Sequence, residues 1–330
     1  MSEKILIFGE VAEGKVTTVT KEILTIGREL ANQTGEPLSV LLIGENIEGA
    51  AKDAVSMGGD NVYIANGPSI AKAHPDLYLA IVAEACKQLS PSIILFSHTD
   101  MGRDLAPRLA ARLKASVTMD CIKLSLDENT KALLLSKPVY GGNAVAVWTS
   151  KPGTTQIATI RPRSAAPAES DPSRQGKVTP LAVSVGPSSV KGEVLETVVE
   201  EVQGIRLEDA KVVIAGGGGI GGVEGFAILE ELASLLGGTV GVTRVPCDEG
   251  WKPLSMEIGQ TGRIVSPNLY IAVGVSGAPQ HMTGCSSSKL LVAINRDPDA
   301  NIFKEADLGV VGDYKKVLPS LIERCRSLKM

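Results

Sequence analysis

The chain has 330 residues, of which 44% are hydrophobic, 21% charged and 3% aromatic. Single hydrophobic cores rarely grow to this length, so we expect two globular domains of ordinary size. The formal net charge is -4 and Lys and Arg are scattered, which argues against a nucleic-acid partner because such binding requires a basic face.

Cysteine is too dispersed to build a metal centre. The 5 cysteines form no C-x-x-C pair and only 3 histidines accompany them, so we predict reduced structural thiols and no metal site. Iron–sulfur ligation needs grouped thiolates, so any redox cofactor would be organic. No apolar run approaches the length of a membrane span or a signal peptide, and we expect a cytoplasmic protein without membrane insertion.

The first half of the sequence alternates strand-like and helix-like segments. Strands are predicted at Ile5–Phe8, Leu38–Ile43, Val62–Ala65 and Ile93–Ser97, and helices at Thr20–Asn32, Ile47–Met57, Leu77–Leu89 and Asp100–Lys114. Strands separated by helices of about 10 to 15 residues imply right-handed βαβ crossovers and a mainly parallel sheet.

The pattern then changes to the alternation of an antiparallel appendage. Between Val117 and Arg163, polar and apolar residues alternate, as in 155–160, and glycine-containing turns interrupt them. Residues 164–192 are rich in Pro, Ser, Ala and Gly, which is typical of a linker or a segment crossing the surface. We therefore predict an N-terminal α/β domain at 1–190, a linker or hinge at 191–208 and a second domain at 209–330.

The second half restarts the alternation of strands and helices. Strands are predicted at Lys211–Ala215, Thr239–Thr243, Leu269–Val273, Leu290–Ile294 and Leu308–Val311, with helices at Val223–Leu236 and Tyr314–Ser327. Short strands joined by such crossovers predict a doubly wound parallel sheet. Ligands of such sheets bind beyond the carboxyl ends of the strands, which are followed here by Gly216–Gly219, Arg244, Ser276-Gly277, Asn295 and Asp313.

A glycine-rich turn follows the first strand of this domain. The run Gly216–Gly222 satisfies G-x-G-x-x-G and precedes a helix, which is the context of a phosphate-binding turn. An NAD site would place an acidic residue at the end of the next strand, but Arg244 stands there. An NADP site and a flavin site both remain open at this point, and the absence of G-K-[ST] argues against an NTPase.

The stretch from Gly259 to Asn295 carries a specific resemblance. It contains Gly-Gln-Thr-Gly-Arg-Ile-Val at 259–265, Val-Gly-Val-Ser-Gly-Ala-Pro-Gln-His at 273–281 and Leu-Val-Ala-Ile-Asn at 291–295. This order resembles the C-terminal signature of electron-transfer flavoprotein alpha subunits. The similarity extends through the glycine turn and, more loosely, through the first domain as far as Arg161-Pro162-Arg163.

The resemblance implies FAD in the second domain. It places Thr261 at flavin N5, His281 at the N1/C2 edge and Arg244 over the isoalloxazine ring, where a planar cation stabilises negative charge. It further assigns Ser276, Gln280 and Ser288 to the pyrophosphate and ribityl chain, and Asn295 and Asp313 to the ribose and adenine. The other predicted cofactor contacts are Gly217, Gly218, Gly219, Thr243, Gln260, Gly262 and Gly277.

Two positions depart from the family pattern. Alpha subunits usually carry an arginine in the glycine turn where this chain has Gly218, so a cation near the cofactor is lost. A branched aliphatic residue usually precedes the glutamine where this chain has Ala278-Pro279.

The resemblance also implies a role. Such a subunit pairs with a beta subunit and carries electrons from acyl-CoA dehydrogenases of fatty acid β-oxidation to an ETF–quinone oxidoreductase or another acceptor. The sequence contains no G-x-S-x-G motif, no zinc-binding spacing and no carboxylate pair that would indicate bond chemistry. The charged residues near His98 are interpreted as helix capping and i,i+4 pairs. We therefore predict no catalytic residue. The alternatives are an electron-bifurcating variant that uses NADH, an NADP-dependent oxidoreductase or nicotinamide-binding domain, and a purely structural heterodimer scaffold.

Overall fold

The computed structural model describes residues 4–67, 70, 74–127, 129–130, 132–140, 144–151, 153–182 and 205–328. The chain divides into two compact units, one built mainly from residues 4–138 and 145–182 and the other mainly from 205–328. Apart from 205–208, the predicted linker at 191–208 lies outside the described residues, so its boundaries stay a prediction.

The first unit is an α/β unit. Its strands are β1 (Ile5–Gly9), β2 (Val11–Ala12), β3 (Lys15–Val16), β4 (Leu38–Gly44), β5 (Asn61–Asn66), β6 (Ile93–Ser97), β7 (Ser116–Cys121), β8 (Lys123–Leu126), β9 (Leu133–Val139), β10 (Ala144–Trp148), β11 (Gln156–Ile160) and β12 (Lys177–Pro180). Its helices are α1 (Thr18–Thr34), α2 (Glu48–Ser56), α3 (Pro75–Leu89) and α4 (Asp100–Leu113). The predicted elements up to residue 114 are confirmed within a few residues.

A seven-stranded sheet with the order β12-β5-β4-β1-β6-β11-β7 forms the centre of this unit. All of its pairings are parallel. Its central strands are buried on both faces, as the continuous apolar runs of β1 and β4 require.

One prediction for this unit is wrong in detail. The antiparallel appendage predicted between Val117 and Arg163 is smaller than expected, because both β7 and β11 belong to the parallel sheet, where β11 lies between β6 and β7. The alternation misled because Thr159 is buried like its apolar neighbours, with its hydroxyl bonded to His98 and to the Asp120 amide. The segment 164–192 is predicted as a linker or a segment crossing the surface, and its described part contributes the mostly exposed strand β12, which pairs with β5. The appendage itself exists as the three-stranded sheet β10-β9-β8, in which β8 and β9 are antiparallel.

The second unit confirms the predicted parallel sheet. Its strands are β13 (Val212–Gly216), β14 (Thr239–Val242), β15 (Leu269–Val273), β16 (Leu291–Asn295) and β17 (Leu308–Val311), and its helices are α5 (Phe226–Leu236), α6 (Arg244–Asp248), α7 (Pro279–Cys285), α8 (Ile302–Glu305) and α9 (Tyr314–Leu328). The strand order is β14-β13-β15-β16-β17 and every pairing is parallel. None of the helices in the described ranges is long and apolar enough to cross a membrane.

This topology fixes where a ligand can bind. From β13 the chain moves to β14 on one side and then crosses to β15 on the other, so the strand order reverses at β13. Apolar residues cover both faces of the sheet, with Phe226 and Leu229 of α5 on one face and Met282 of α7 on the other. The crevice at the carboxyl end of β13 is therefore the expected binding position.

Candidate cofactor site

The carboxyl ends of the five strands bring most of the predicted site residues to one rim of the second unit. In spatial order this rim carries Thr243-Arg244 after β14, the glycine turn after β13, Ser276-Gly277 after β15, Asn295 at the end of β16 and Asp313 after β17. Neighbouring strands lie about 4.8 Å apart, so four spacings cover roughly 19 Å. The rim is thus long enough for an extended ligand to contact several strand ends.

The glycine turn is packed directly on the end of β15. The Gly217 amide donates to Val273 O over 2.9 Å and the Gly219 amide to Gly274 O over 3.0 Å. A β-carbon on Gly217 would lie 2.3 Å from Gly274 O, and one on Gly219 would lie 2.9 Å from Gly274 Cα. Both positions therefore require glycine, because any side chain would push the turn away from the sheet.

A cleft of about 270 Å³ opens beside this turn. It is lined by the turn itself and by the ends of β16 and β17, including Asn295, Arg296, Asp313 and Lys315. Exposed glycine backbone together with Arg296 and Lys315 suits a diphosphate, and the polar side chains suit a ribose, so the residues fit a dinucleotide. The two cations were missed in the sequence, although each stands within two residues of a predicted contact.

Asn295 and Asp313 hold the loops that follow their strands. The Asn295 side chain donates to Val275 O over 2.9 Å and accepts from the Asp297 amide over 3.0 Å. A carboxylate oxygen of Asp313 accepts from the Lys315 amide over 2.9 Å. Asp313 is exposed at the cleft, so its contact with a ribose or adenine stays a prediction that this placement allows.

Arg244 lies at the other end of the rim, at the start of α6. Its Nε donates to Asp248 Oδ1 over 2.7 Å, and Nη1 approaches Glu257 Oε2 at 3.5 Å. These two carboxylates raise the pKa of Arg244, with the Asp248 hydrogen bond as the larger cause. The guanidinium side chain is still 56% exposed, so one face is available to a ligand.

Glu257 is a third residue that the sequence did not reveal. It is 4% exposed, and Thr261 Oγ1 donates to its Oε1 over 2.7 Å. It lies in an irregular segment that bridges the end of β14 at Val242, where neither periodicity nor a strand end draws attention to it. One buried carboxylate therefore connects the two predicted flavin contacts Arg244 and Thr261.

The loop that carries Thr261 is anchored on the start of α7. The Gln260 amide donates to Gln280 O over 2.8 Å, and the Gly262 amide donates to Gly259 O over 3.2 Å. Gly277, in the loop after β15, has a φ of 82°. It lies against Ile302, and a β-carbon on Gly277 would be 2.2 Å from the Ile302 amide nitrogen. The side chains of Gln260, Thr261, Ser276 and Gln280 belong to exposed residues and can reach a ligand.

His281 is oriented inward. It is 5% exposed, its Nδ1 lies 2.8 Å from Ile258 O, and its Nε2 lies 2.9 Å from the Tyr270 hydroxyl. A carbonyl only accepts, so Nδ1 carries the proton and Nε2 accepts from Tyr270. Burial lowers the pKa of His281, which keeps the ring neutral. Its predicted role at the flavin N1/C2 edge would require one of these bonds to be exchanged.

Ser288 is the predicted site residue that the fold does not bring to the rim. It precedes β16, its hydroxyl donates to Cys285 O over 2.6 Å, and the next amide, that of Lys289, donates to Pro267 O ahead of β15. Residues that lead into parallel strands lie at the amino edge of the sheet. This placement does not support the predicted contact of Ser288 with the pyrophosphate or ribityl chain.

The charged residues after β6 in the first unit form internal pairs. Arg108 binds Asp104 over 2.6 Å, as the i,i+4 spacing predicts, and Thr99, not Asp100, accepts from the Gly102 amide as the helix cap. His98 lies against Thr159 and is partly buried. Among the described residues no group of three or more His, Cys, Asp or Glu side chains is arranged to hold a metal ion.

Comparison with known proteins agrees with this geometry. The family model "Electron transfer flavoprotein domain" matches residues 5–185, and "Electron transfer flavoprotein FAD-binding domain" matches residues 206–286. The chain is 42% identical over 98% of its length to the electron transfer flavoprotein subunit alpha of Thermoanaerobacterium thermosaccharolyticum and covers 98% of that protein. It is 39% identical over 100% of its length to the corresponding subunit of Bacillus subtilis, of which it covers 99%.

A third relative has a longer chain and a different name. The chain is 34% identical over 96% of its length to "Lactate dehydrogenase (NAD(+),ferredoxin) subunit LctC" of Acetobacterium woodii and covers 76% of that protein. The matches decide between the flavin and nicotinamide alternatives for the glycine turn. The chain belongs to the electron transfer flavoprotein family as an alpha subunit, and its cofactor is FAD.

Proposed function

We propose that this chain is the FAD-carrying half of a heterodimer and passes electrons between a dehydrogenase and a separate acceptor. The observation that carries the proposal is the line of rim residues from Arg244 to Asp313, which crosses the whole second sheet. A cofactor stretched along this line has its ring system near Arg244 and Thr261 and its adenine end near Asn295 and Asp313. Bound FAD supplies reversible uptake of electrons.

The residues around the ring position suit electron transfer better than bond chemistry. Arg244 supplies an exposed positive charge, and Thr261 supplies a hydroxyl. His281 is buried and neutral, so it is a weak candidate for moving a proton to a substrate. These groups support a role in binding and polarising the cofactor, and we propose no catalytic residue for the subunit.

The proposed partners follow from the family. A beta subunit completes the heterodimer, acyl-CoA dehydrogenases or related enzymes donate electrons in the cytoplasm, and a quinone oxidoreductase or an equivalent protein accepts them. A second candidate is an electron-bifurcating complex that uses NADH, since a relative 34% identical to this chain is named for both NAD(+) and ferredoxin.

The test is made on the chain purified together with its beta subunit. We expect a yellow complex that releases one FAD per alpha subunit on denaturation and is reduced by an acyl-CoA dehydrogenase with its acyl-CoA. Reduction by NADH that requires ferredoxin as a second acceptor would select the bifurcating candidate. A colourless complex that binds NADPH tightly would contradict the proposal.

A further inference from the structure

Glu257 occupies an unusual position for an acidic residue in this unit. In the described part of the second unit, only two polar or charged residues are buried, Glu257 and His281. Buried carboxylates are costly unless they are paired and hydrogen-bonded. The two partners of Glu257 are Thr261 and Arg244, which are both predicted to contact the ring system of FAD.

The bond from Thr261 determines what Thr261 can offer a ligand. A hydroxyl has one proton and two lone pairs, and this proton is directed to Glu257 Oε1 over 2.7 Å. Thr261 is otherwise exposed, so the side of Oγ1 that faces a ligand presents lone pairs. Thr261 is thereby set to accept from an N–H group of the cofactor instead of donating to a bare ring nitrogen.

The contact with Arg244 acts through charge. Glu257 Oε2 lies 3.5 Å from Nη1, and the Glu257 side chain is 5% exposed against 54% for Asp248, the other partner of Arg244. Solvent screens a buried charge much less than an exposed one. Asp248 is the closer partner and the larger cause of the raised pKa of Arg244, but the buried charge of Glu257 is screened less over the distance to a ligand at the rim.

We propose that Glu257 is a positioning residue that lowers the reduction potential of the bound FAD through Thr261 and Arg244. The inference rests on the proposed function, because it requires FAD at this rim. Reduction adds electron density to the ring system, and a nearby negative charge opposes that addition. The same carboxylate holds the Thr261 proton, so Thr261 does not donate it to the electron density that reduction adds.

The experiment compares Glu257→Gln with the parent chain, each in the heterodimer loaded with FAD. Glutamine keeps the shape and removes the charge, and its amide can turn the NH2 group towards Thr261, which frees the Thr261 hydroxyl to donate to the cofactor. We expect the equilibrium constant for one-electron reduction to increase about tenfold, which is a rise of about 59 mV in spectroelectrochemical titration. FAD content and the thermal midpoint are measured in parallel.

Asp248→Asn is the matched control, because it removes the other carboxylate that pairs with Arg244. We expect it to change the constant less than about threefold, since Asp248 is half exposed. An equal shift in Asp248→Asn and Glu257→Gln would overturn the special role of Glu257. The Thr261 route is tested by Glu257→Gln in a Thr261→Val background, where we expect a clearly smaller shift. An undiminished shift would overturn that route.

A second variant keeps the test decisive if Glu257→Gln does not fold. Glu257→Asp retains the charge but withdraws it by one methylene from Thr261 and Arg244, so we expect a smaller rise in the same direction. A folded, FAD-loaded variant of either kind with the parental potential would overturn the inference and leave the proposed function intact. A parental complex without FAD would overturn the proposed function instead.

Discussion

Gly217 lies so close to Gly274 that a β-carbon on Gly217 would stand 2.3 Å from the Gly274 carbonyl oxygen. The Gly274 carbonyl belongs to backbone that follows β15, and Gly217 is held against it because the Gly217 amide donates to Val273 O. The turn cannot move aside without losing this bond. The contact ties the glycine pattern of the sequence to the shape of the FAD cleft.

We expect Gly217→Ala to abolish FAD retention, because the turn must leave the end of β15 to make room for the methyl group. Gly218→Ala is the control in the next position, where a β-carbon meets only the exposed side chain of Val245, at 3.1 Å. It should retain FAD within about threefold of the parental affinity. The measurement is the FAD content of the purified heterodimers, and equal retention in both variants would contradict the prediction.

Much of the second unit was predictable because its signals are local. Each of its strands is a short apolar run followed by glycine, a polar residue or a cation, and parallel pairing then brings those following residues to one rim. Arg244, Ser276, Asn295 and Asp313 were found in this way. Ser288 was assigned by resemblance alone, and it is the predicted residue that lies off the rim.

The remaining features depend on contacts that sequence spacing does not encode. Glu257 lies in an irregular segment, and its importance comes from Arg244 at the start of α6 and from Thr261 in the loop before α7. The inward orientation of His281, which lies in α7, is set by its hydrogen bond with Tyr270 of β15. In the first unit, β11 was assigned to the wrong sheet because alternation does not specify the direction of the strand that will pair with it.

Gly218 offers a way to restore the cation that alpha subunits usually carry in the turn. The position is exposed, and Val245, its nearest neighbour there, is itself exposed and can shift by the few tenths of an ångström that a β-carbon needs. We expect Gly218→Arg to bind FAD about tenfold more tightly at low salt, with the gain shrinking as salt screens the added charge. Gly218→Gln is the uncharged control, and a gain of the same size in it would show that the charge is not responsible. The readout is the dissociation constant of FAD at two salt concentrations.

The bond between Tyr270 and His281 should stabilise the second unit. Tyr270→Phe leaves His281 Nε2 buried without its donor, and a buried unsatisfied group costs about 1 to 3 kcal/mol. Tyr314→Phe is the control, because Tyr314 and Ile220 line the cleft, where water can replace the 2.9 Å bond from the Tyr314 hydroxyl to the Ile220 carbonyl, so its loss costs only about 0.5 to 1.5 kcal/mol. Urea unfolding of both variants gives the comparison. A smaller loss for Tyr270→Phe than for Tyr314→Phe would contradict the assigned hydrogen bond.

His98 makes the first unit sensitive to acid. Its Nδ1 lies 2.7 Å from the Thr159 hydroxyl, and its side chain is 11% exposed. Burial lowers the pKa of His98 to about 4, although the charge of Asp120 acts in the opposite direction. An unfolded histidine has a pKa near 6.5, so between these two values the unfolded chain binds a proton that the folded chain does not.

The stabilising contribution of neutral His98 is therefore complete above a pH of about 6.5 and is lost as the pH falls towards about 4. We expect the parental chain to lose about 2 kcal/mol more of its unfolding free energy between about pH 7.5 and about pH 4.5 than His98→Asn does. Asparagine places a polar atom near the position of Nδ1, so it can keep the Thr159 bond, but it does not titrate. Urea unfolding of both chains at the two pH values measures the difference, and parallel losses in the two chains would show that His98 is not the group responsible.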